Sequence, residues 1–417
     1  MDNGLCRLYN ESTRWNRAII LLVLVWRLCS SCFCIGGTIL FTSVDSLVTE
    51  EFVRMASINS PPAQESELAR YLTERLTRLG CSVVTDASAA ATGSDVGNLV
   101  ARYPGRGCGA EAPVLLLSAH MDTVMPTAGM TPQLQDDRFV SNGETVLGAD
   151  DKAGIALILA VLDRLQNDAA LPCPPLEIVL TVQEEVGLTG CRELKEPLRA
   201  AYGFVLDSDG DVGTLVNQAP THTVMDLVVR GRAAHAGIEP ENGVSAIVVA
   251  AEAIAQIRSG RIDLETTSNF GKIHGGTALN IVAERVEIAA EVRSLRHERM
   301  EEEVGRIVDV FSRVCAERGA LLDVDKSVQY QAFCLEDNHP LIRLARNAAQ
   351  AAGVAFVVEA TGGGSDANIF NERGIPCAVL GIGMKEAHTV MESIAVAQLE
   401  SGARFLAEIV LGASRML

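Results

Sequence analysis

The spacing of hydrophobic and polar residues predicts helices first and strands later in the opening part of the body of the chain. Residues 46–55 and 65–79 have the period of amphipathic helices, and the second ends at Gly80. The run at 114–119 is apolar without alternation, which is typical of a central strand buried on both faces. The other elements predicted here are strands at 81–85, 98–103, 176–182 and 203–206, and a helix at 152–166.

The order of predicted helices and strands changes near Pro220, and the α/β alternation resumes after residue 325. Strands predicted at 221–230, 272–275 and 285–293 are separated by helices at 243–256 and 298–318, an order like βαββαβ. A helix at 340–352, strands at 356–359 and 376–381, and a final helix at 394–411 follow. We therefore predict an α/β fold with a mainly parallel central sheet flanked by helices. Its two parts, 45–218 and 328–417, enclose a smaller two-layer α+β domain at 219–327.

Residues 1–44 differ from the rest of the chain. They contain both tryptophans and the apolar run AIILLVLVW, which follows Arg14 and Arg17. These features resemble a signal peptide and permit export. However, Arg27 interrupts the apolar stretch, and about 20 apolar residues are needed to span a bilayer. A non-native or mistranslated extension explains the segment equally well, and no stable membrane partner is expected.

Composition favours an enzyme over a polyanion-binding protein. The 417 residues include 35 Lys plus Arg against 53 Asp plus Glu, so the formal net charge of -18 opposes binding to nucleic acid. The 36 glycines and 4% aromatic residues suit an α/β enzyme with many tight turns. Eleven cysteines are too sparse for a disulfide framework, and a cytoplasmic location is expected. Those predicted to be buried packing residues are Cys81, Cys108, Cys173, Cys191, Cys315, Cys334 and Cys377.

Acidic and imidazole side chains follow several predicted strands at their carboxyl ends. Each is weak evidence alone, since an aspartate that opens a helix, such as Asp150, is often only an N-cap. Because such strand ends meet at one edge of a parallel sheet, we expect the groups to converge. Imidazoles with carboxylates suit Zn²⁺, Mn²⁺ or Co²⁺, and a surplus carboxylate can bridge two ions about 3.5 to 4 Å apart. The candidates are His120, Asp122, Asp150, Asp151, Glu184, Glu185, Asp207 and His388.

These motifs, in this order between residues 45 and 411, resemble the co-catalytic zinc metallopeptidases. That family contains aminoacylases, carboxypeptidase G and bacterial di- and tripeptidases, and the peptidase-T-like branch is the most similar. The resemblance implies two zinc ions per chain, one held by His120 and Asp207 and the other by Glu185 and His388. Asp150 would bridge the ions.

The same resemblance implies roles for two further carboxylates and for one peptide bond. Asp122 would orient His120. Glu184 would be the general base that takes a proton from the attacking water and passes it to the leaving amine. The peptide bond between Asp150 and Asp151 is expected to be cis.

The inserted domain carries two further motifs, GRAAHAGIEP at 231–240 and GGTALNIV at 275–282. In the family this is a lid and dimerisation domain, so His235, Asn280 and Arg293 are implied to contact substrate. The loop at 361–367, with Gly363, would line the site. His235 as a surface residue, Arg293 as a strand salt-bridge residue and the glycine loop as a tight turn remain alternatives. A phosphate-cradling loop is disfavoured because no Gly-Lys-Ser/Thr follows.

The sequence therefore predicts a dinuclear metallo-aminopeptidase that hydrolyses short peptides, with tripeptides the leading candidates. Alternatives are a deacylase of N-acyl amino acids or another amidohydrolase, and a catalytically silent amino-acid-binding or scaffold protein. The presence of Glu184 argues against a silent protein, since a binder needs no base beside the metal. A homodimer is expected, in which His235 of one subunit helps form the active site of the other. The family resemblance implies that this imidazole stabilises the oxyanion.

Overall fold

The computed structural model describes residues 32–35, 38–41 and 46–415. The predicted signal-like or non-native extension at 1–44 lies outside the described residues, except for two short strands that pair with each other in antiparallel register. Within the described part of the chain, no helix has both the length and the hydropathy needed to cross a bilayer.

The predicted long helices are present, and their observed ends differ from the predicted ones by a few residues. The final helix begins at Val396, because residues 393–395 pair as a strand. The helices are α1 (Ser46–Ala56), α2 (Ser66–Arg78), α3 (Ala89–Thr92), α4 (Ala149–Asn167), α5 (Thr189–Arg192), α6 (Ala246–Ala255), α7 (His297–Arg318), α8 (Pro340–Ala352), α9 (Asp366–Glu372) and α10 (Val396–Ala413).

The described strands form two main sheets, a four-stranded sheet and a two-stranded pair. In chain order they are β1 (Cys32–Ile35), β2 (Thr38–Phe41), β3 (Ser82–Thr85), β4 (Leu99–Tyr103), β5 (Leu115–His120), β6 (Gln133–Gln135), β7 (Arg138–Val140), β8 (Leu176–Thr181), β9 (Tyr202–Ser208), β10 (Thr214–Ala219), β11 (Thr221–Arg230), β12 (Gly260–Arg261), β13 (Thr266–Gly275), β14 (Arg285–Ser294), β15 (Leu321–Tyr330), β16 (Phe333–Cys334), β17 (Val357–Ala360), β18 (Cys377–Gly381), β19 (Met384–Lys385) and β20 (Ser393–Ala395). The four-stranded sheet has the order β19-β20-β7-β6, and the two-stranded pair is β1-β2.

The large sheet has the order β16-β10-β18-β9-β5-β8-β4-β3, and β17 pairs in parallel with β10. Its centre, β18-β9-β5-β8, is parallel, whereas β4, β3, β10 and β16 join in antiparallel register. Helix α4 packs on β5 and β9, and α1 and α10 pack against α4. Because β5 and β8 are buried along their whole length, they contain few polar residues before their carboxyl ends. The predicted α/β fold is confirmed.

The second main sheet has the order β12-β13-β14-β11-β15 and is antiparallel. Helices α6 and α7 pack against it, and their apolar side chains form a separate core with the sheet. Strand β15 pairs with β11 as far as Tyr330, past the predicted boundary at 327. The predicted boundary lies within this exposed strand, LLDVDKSVQY, which is rich in polar residues and lacks a clear apolar alternation.

The expectation that the cysteines of the body are buried is wrong at two positions. Cys108, in a short 3₁₀ turn at Gly107–Gly109, and Cys334, on the edge strand β16, are exposed. The other five are buried and free, as predicted. Burial follows the strands and helices that carry these residues, and a turn or a sheet edge leaves a thiol in solvent even in an apolar stretch.

Candidate metal and active site

Three parallel strands bring their carboxyl ends together at one edge of the large sheet. His120 is the last residue of β5, Asp207 is near the end of β9, and Glu184 and Glu185 follow β8. Since β5 lies between β8 and β9, the side chains beyond these ends converge. The sheet therefore places an imidazole between groups of carboxylates, as the strand pattern predicted.

Asp150 reaches the same place from the start of α4. Gly148 caps the helix with a left-handed backbone (φ 73°), which a glycine adopts without steric cost. The peptide bond between Asp150 and Asp151 is cis, as expected. The helix thus begins with two adjacent buried aspartates directed towards the strand ends.

The carboxylate of Asp150 lies between two imidazoles. Its Oδ1 is 2.9 Å from Nε2 of His120, and its Oδ2 is 3.1 Å from Nε2 of His388. His388 lies in the loop between β19 and β20 and has a left-handed backbone (φ 65°), which is uncommon for a residue with a side chain. One carboxylate oxygen therefore faces each histidine.

Each histidine also faces a second carboxylate. His120 Nε2 is 3.8 Å from Oδ1 of Asp207, and His388 Nε2 is 3.0 Å from Oε1 of Glu185. The Glu185 oxygen is buried but forms no hydrogen bond of acceptable geometry. The arrangement consists of two histidine–carboxylate pairs that share Asp150.

Burial and mutual repulsion disfavour negative charge on several of these carboxylates. Desolvation, followed by the charge of a neighbouring aspartate, raises the pKa of Asp207 and of Glu184 well above the usual range. The hydrogen bond to Asp150 and the adjacent carboxylate of Glu185 raise the pKa of His388 to about 10. The cluster thus favours a positive charge at its centre, whether a proton on an imidazole or a metal ion.

Asp122 supports this cluster from behind. Its backbone oxygen is 2.9 Å from Nδ1 of His120, and its carboxylate accepts hydrogen bonds from the backbone N–H groups of Glu184 (3.0 Å) and Glu185 (3.1 Å). It is fully buried. Asp122 therefore fixes His120 and the two glutamates relative to one another.

Two groups of three side chains have the spacing of metal ligands among the described residues. One contains His120, Asp150 and Glu185, and the other contains His120, Asp151 and Asp207. Asp151, however, already accepts backbone hydrogen bonds from His120 and Gly154, both at 3.2 Å. Its two oxygens are therefore less available than those of Asp150.

A cavity of about 280 Å³ opens beside the cluster. It is lined by Asp150, Glu184 and His388 and also by Gly363 and Gly364, so the glycine loop borders the site. A Cβ atom at position 364 would lie 2.2 Å from Cζ of Tyr330, so only glycine permits this close approach.

The predicted substrate-contacting residues of the inserted sheet are placed differently. His235 and Asn280 are exposed and adjacent, since Ala236 N–H donates to the backbone oxygen of Asn280 at 2.9 Å. No hydrogen bond or ion pair joins either side chain to the metal-ligand cluster among the described residues. Arg293 forms a 3.2 Å salt bridge with Glu291 on its own strand.

Two buried carboxylates at the site were missed by sequence reasoning. Asp366 accepts a hydrogen bond from Thr181 Oγ1 (2.5 Å) through Oδ2, whereas its Oδ1 has no partner. Glu392 accepts hydrogen bonds from three backbone N–H groups around Asp150. The only signals in the sequence were that Asp366 belongs to the predicted glycine loop and that Glu392 follows His388 by four residues.

The chain as a whole resembles known proteins. Residues 116–412, more than half of the chain, match the model of peptidase family M20/M25/M40. The chain belongs to this family. Its fold and its membership of a peptidase-T-like branch of M20 peptidases agree with the predictions from sequence, and it is a metallopeptidase that hydrolyses peptides.

Several relatives of this M20 peptidase resemble it along most of their length. The "uncharacterized protein YqjE" of Bacillus subtilis (strain 168) is 36% identical over 88% of this chain and 98% of that protein. The crystal structure of aminopeptidase PepT from Bacillus cereus ATCC 10987 is 39% identical, with a TM-score of 0.83, covering 89% of this chain and 99% of that one. A tripeptidase from Staphylococcus aureus subsp. aureus mu50 is 37% identical, with a TM-score of 0.85 and the same coverage.

Proposed function

We propose that this M20 peptidase uses two metal ions to hydrolyse short peptides with a free amino end, as a tripeptide aminopeptidase. The observation that carries the proposal is the position of Asp150, with one carboxylate oxygen towards each of two histidines. The similarity to an aminopeptidase and a tripeptidase supports the substrate class.

The residues present fit two divalent ions. His120 and Asp207 would hold one ion, Glu185 and His388 the other, and Asp150 would bridge them. The orphaned, buried Oε1 of Glu185 and the crowding of like charges are what a cation would relieve. The nitrogen and oxygen donors suit Zn²⁺, with Co²⁺ or Mn²⁺ as alternatives. When bound, such ions polarise the scissile carbonyl and lower the pKa of water.

Glu184 is the residue we assign to proton transfer. Its carboxylate lines the cavity, and its backbone N–H is held by Asp122 at 3.0 Å. From there it would take a proton from the attacking water and deliver it to the departing amine. Asp122 would orient His120 and hold Glu184 in place without contacting substrate.

We assign substrate contacts to His235, Asn280, Arg293 and Gly363. Gly363 borders the cavity directly. His235 and Asn280 lie on an exposed face that also carries the exposed side chains of Leu279 and Ile281. A second copy of the chain could cover this face, and His235 of the first copy would then enter the cavity of the second. We therefore propose a homodimer with shared active sites.

Substrate class is tested by incubating the metal-loaded protein with di-, tri- and tetrapeptides and with N-acetyl amino acids, and identifying products by mass. We expect cleavage of free tripeptides, and an N-acetylated form of the same tripeptide is the matched control. Cleavage of N-acetyl amino acids without cleavage of tripeptides would establish a deacylase. Peptide binding without any cleavage would establish a silent binding protein.

The adjacent glutamates should have separable roles. Glu184→Ala should retain metal but lower turnover by at least about 100-fold, since a placed general base contributes that much. Glu185→Ala should lose metal, because its carboxylate faces His388 at 3.0 Å. Bound metal and rate are measured together, with Glu193→Ala, whose side chain pairs with Lys195, as a control that changes neither. An unchanged rate in Glu184→Ala would remove its assignment as the base.

A shared active site predicts complementation between two inactive variants. His235→Ala and Glu184→Ala are mixed and allowed to exchange subunits. Heterodimers would contain one site with both residues intact, so activity should return. Subunit exchange is verified separately with differently tagged copies. Absence of recovery despite exchange, or a fully active monomer, would refute the shared site.

A further inference from the structure

Glu392 is a buried carboxylate in the loop that carries His388. Its side chain is only 1% exposed, and it immediately precedes β20. No salt bridge to this carboxylate is present in the described part of the chain, so its burial is offset by backbone hydrogen bonds and by attraction to the buried ammonium of Lys152. A buried charge of this kind is costly unless its oxygens are fully used.

Both oxygens of Glu392 are used by the segment that presents Asp150. Oε2 accepts from the backbone N–H groups of Leu147 and Gly148, each at 2.8 Å, and Oε1 accepts from that of Asp150 at 3.0 Å. Hydrogen bonds from backbone N–H groups to a carboxylate are short and strong. Three backbone N–H groups at and just before the start of α4 therefore donate hydrogen bonds to a single side chain.

Glu392 is also tied closely to His388. Its backbone N–H donates to the oxygen of Thr389 (3.1 Å), and Thr389 N–H donates to the oxygen of Glu386 (3.2 Å), so the loop between β19 and β20 is compact. At one end of this loop His388 Nε2 is 3.1 Å from Asp150, and at the other Glu392 holds the backbone of the same aspartate. The segment at 147–150 and the loop between β19 and β20 are thus held together by their contacts with Asp150.

We propose that Glu392 is a positioning residue that sets the orientation of Asp150 relative to His388 and thereby the metal affinity of the site. The inference rests on the proposed metal site. Glu392 contacts no candidate ligand side chain with its carboxylate and acts only through the backbone at 147–150. Outer hydrogen-bonding partners of this kind typically change metal affinity by about 10- to 100-fold when they are replaced.

Glu392→Gln tests this role because it keeps the size of the side chain but replaces one acceptor oxygen with an NH₂ donor. That donor must face either the Asp150 N–H or the pair at 147 and 148. Glu392→Asp, which keeps both acceptors on a shorter side chain, is the second variant. Metal-free full-length proteins are titrated with Co²⁺, and affinity and visible absorption are recorded.

The chain offers a matched control in Glu177. This carboxylate is also 1% exposed and accepts hydrogen bonds through Oε2 from the backbone N–H groups of Arg199 (2.7 Å) and Ala200 (3.0 Å). Unlike Glu392, it also forms a 2.9 Å salt bridge, through Oε1, to Arg102. It lies near the start of β8, at the strand end away from the site. Glu177→Gln should lower the melting temperature without changing Co²⁺ affinity or absorption.

We expect Glu392→Gln to weaken Co²⁺ binding at least about 10-fold and to change the absorption bands. Glu392→Asp should have a smaller effect in the same direction. If Glu392→Gln does not fold, the Co²⁺ affinity and absorption of Glu392→Asp test the positioning role instead. Wild-type affinity and spectrum in the folded variants, or an equal change in Glu177→Gln, would overturn the positioning role. A wild-type protein that binds no Co²⁺ would overturn the proposed metal site itself, and the positioning role with it.

Discussion

Repulsion among buried carboxylates is the constraint on which the site depends. Asp150, Glu184, Glu185 and Asp207 meet at one sheet edge with little solvent to screen them, and burial raises the pKa of Glu184, Glu185 and Asp207. Positive charge placed among its members stabilises such a cluster in its ionised form. The two imidazoles supply this charge in part, and divalent ions would do so more completely.

The fold supplies the rigidity that such a cluster requires. Strands β5, β8 and β9 are buried and paired in parallel, so their ends cannot separate without breaking the central sheet. The loop between β19 and β20 is fixed by the pairing of β20 with β7, and Glu392 connects it to α4. The inserted sheet has its own core, so its sequence can vary independently of the sheet edge that carries the cluster.

Much of this arrangement followed from the sequence because buried parallel strands are apolar runs and their ends carry the polar residues. His120 and Glu184 were found in this way, and the family resemblance supplied the pairing of ligands. No residue range was predicted for the exposed edge strand β15, because it lacks the apolar alternation on which prediction relies. Glu392 was missed because its function depends on which backbone N–H groups it meets, and a contact across more than 240 positions leaves no local pattern.

The most direct test of this account is elemental analysis combined with anomalous diffraction, at the zinc absorption edge, from crystals saturated with Zn²⁺. The account predicts two ions per chain, with Asp150 contacting both, His120 and Asp207 on one ion, and Glu185 and His388 on the other. Occupancy that never exceeds one ion under saturating conditions, with Asp150 contacting no metal, would contradict it.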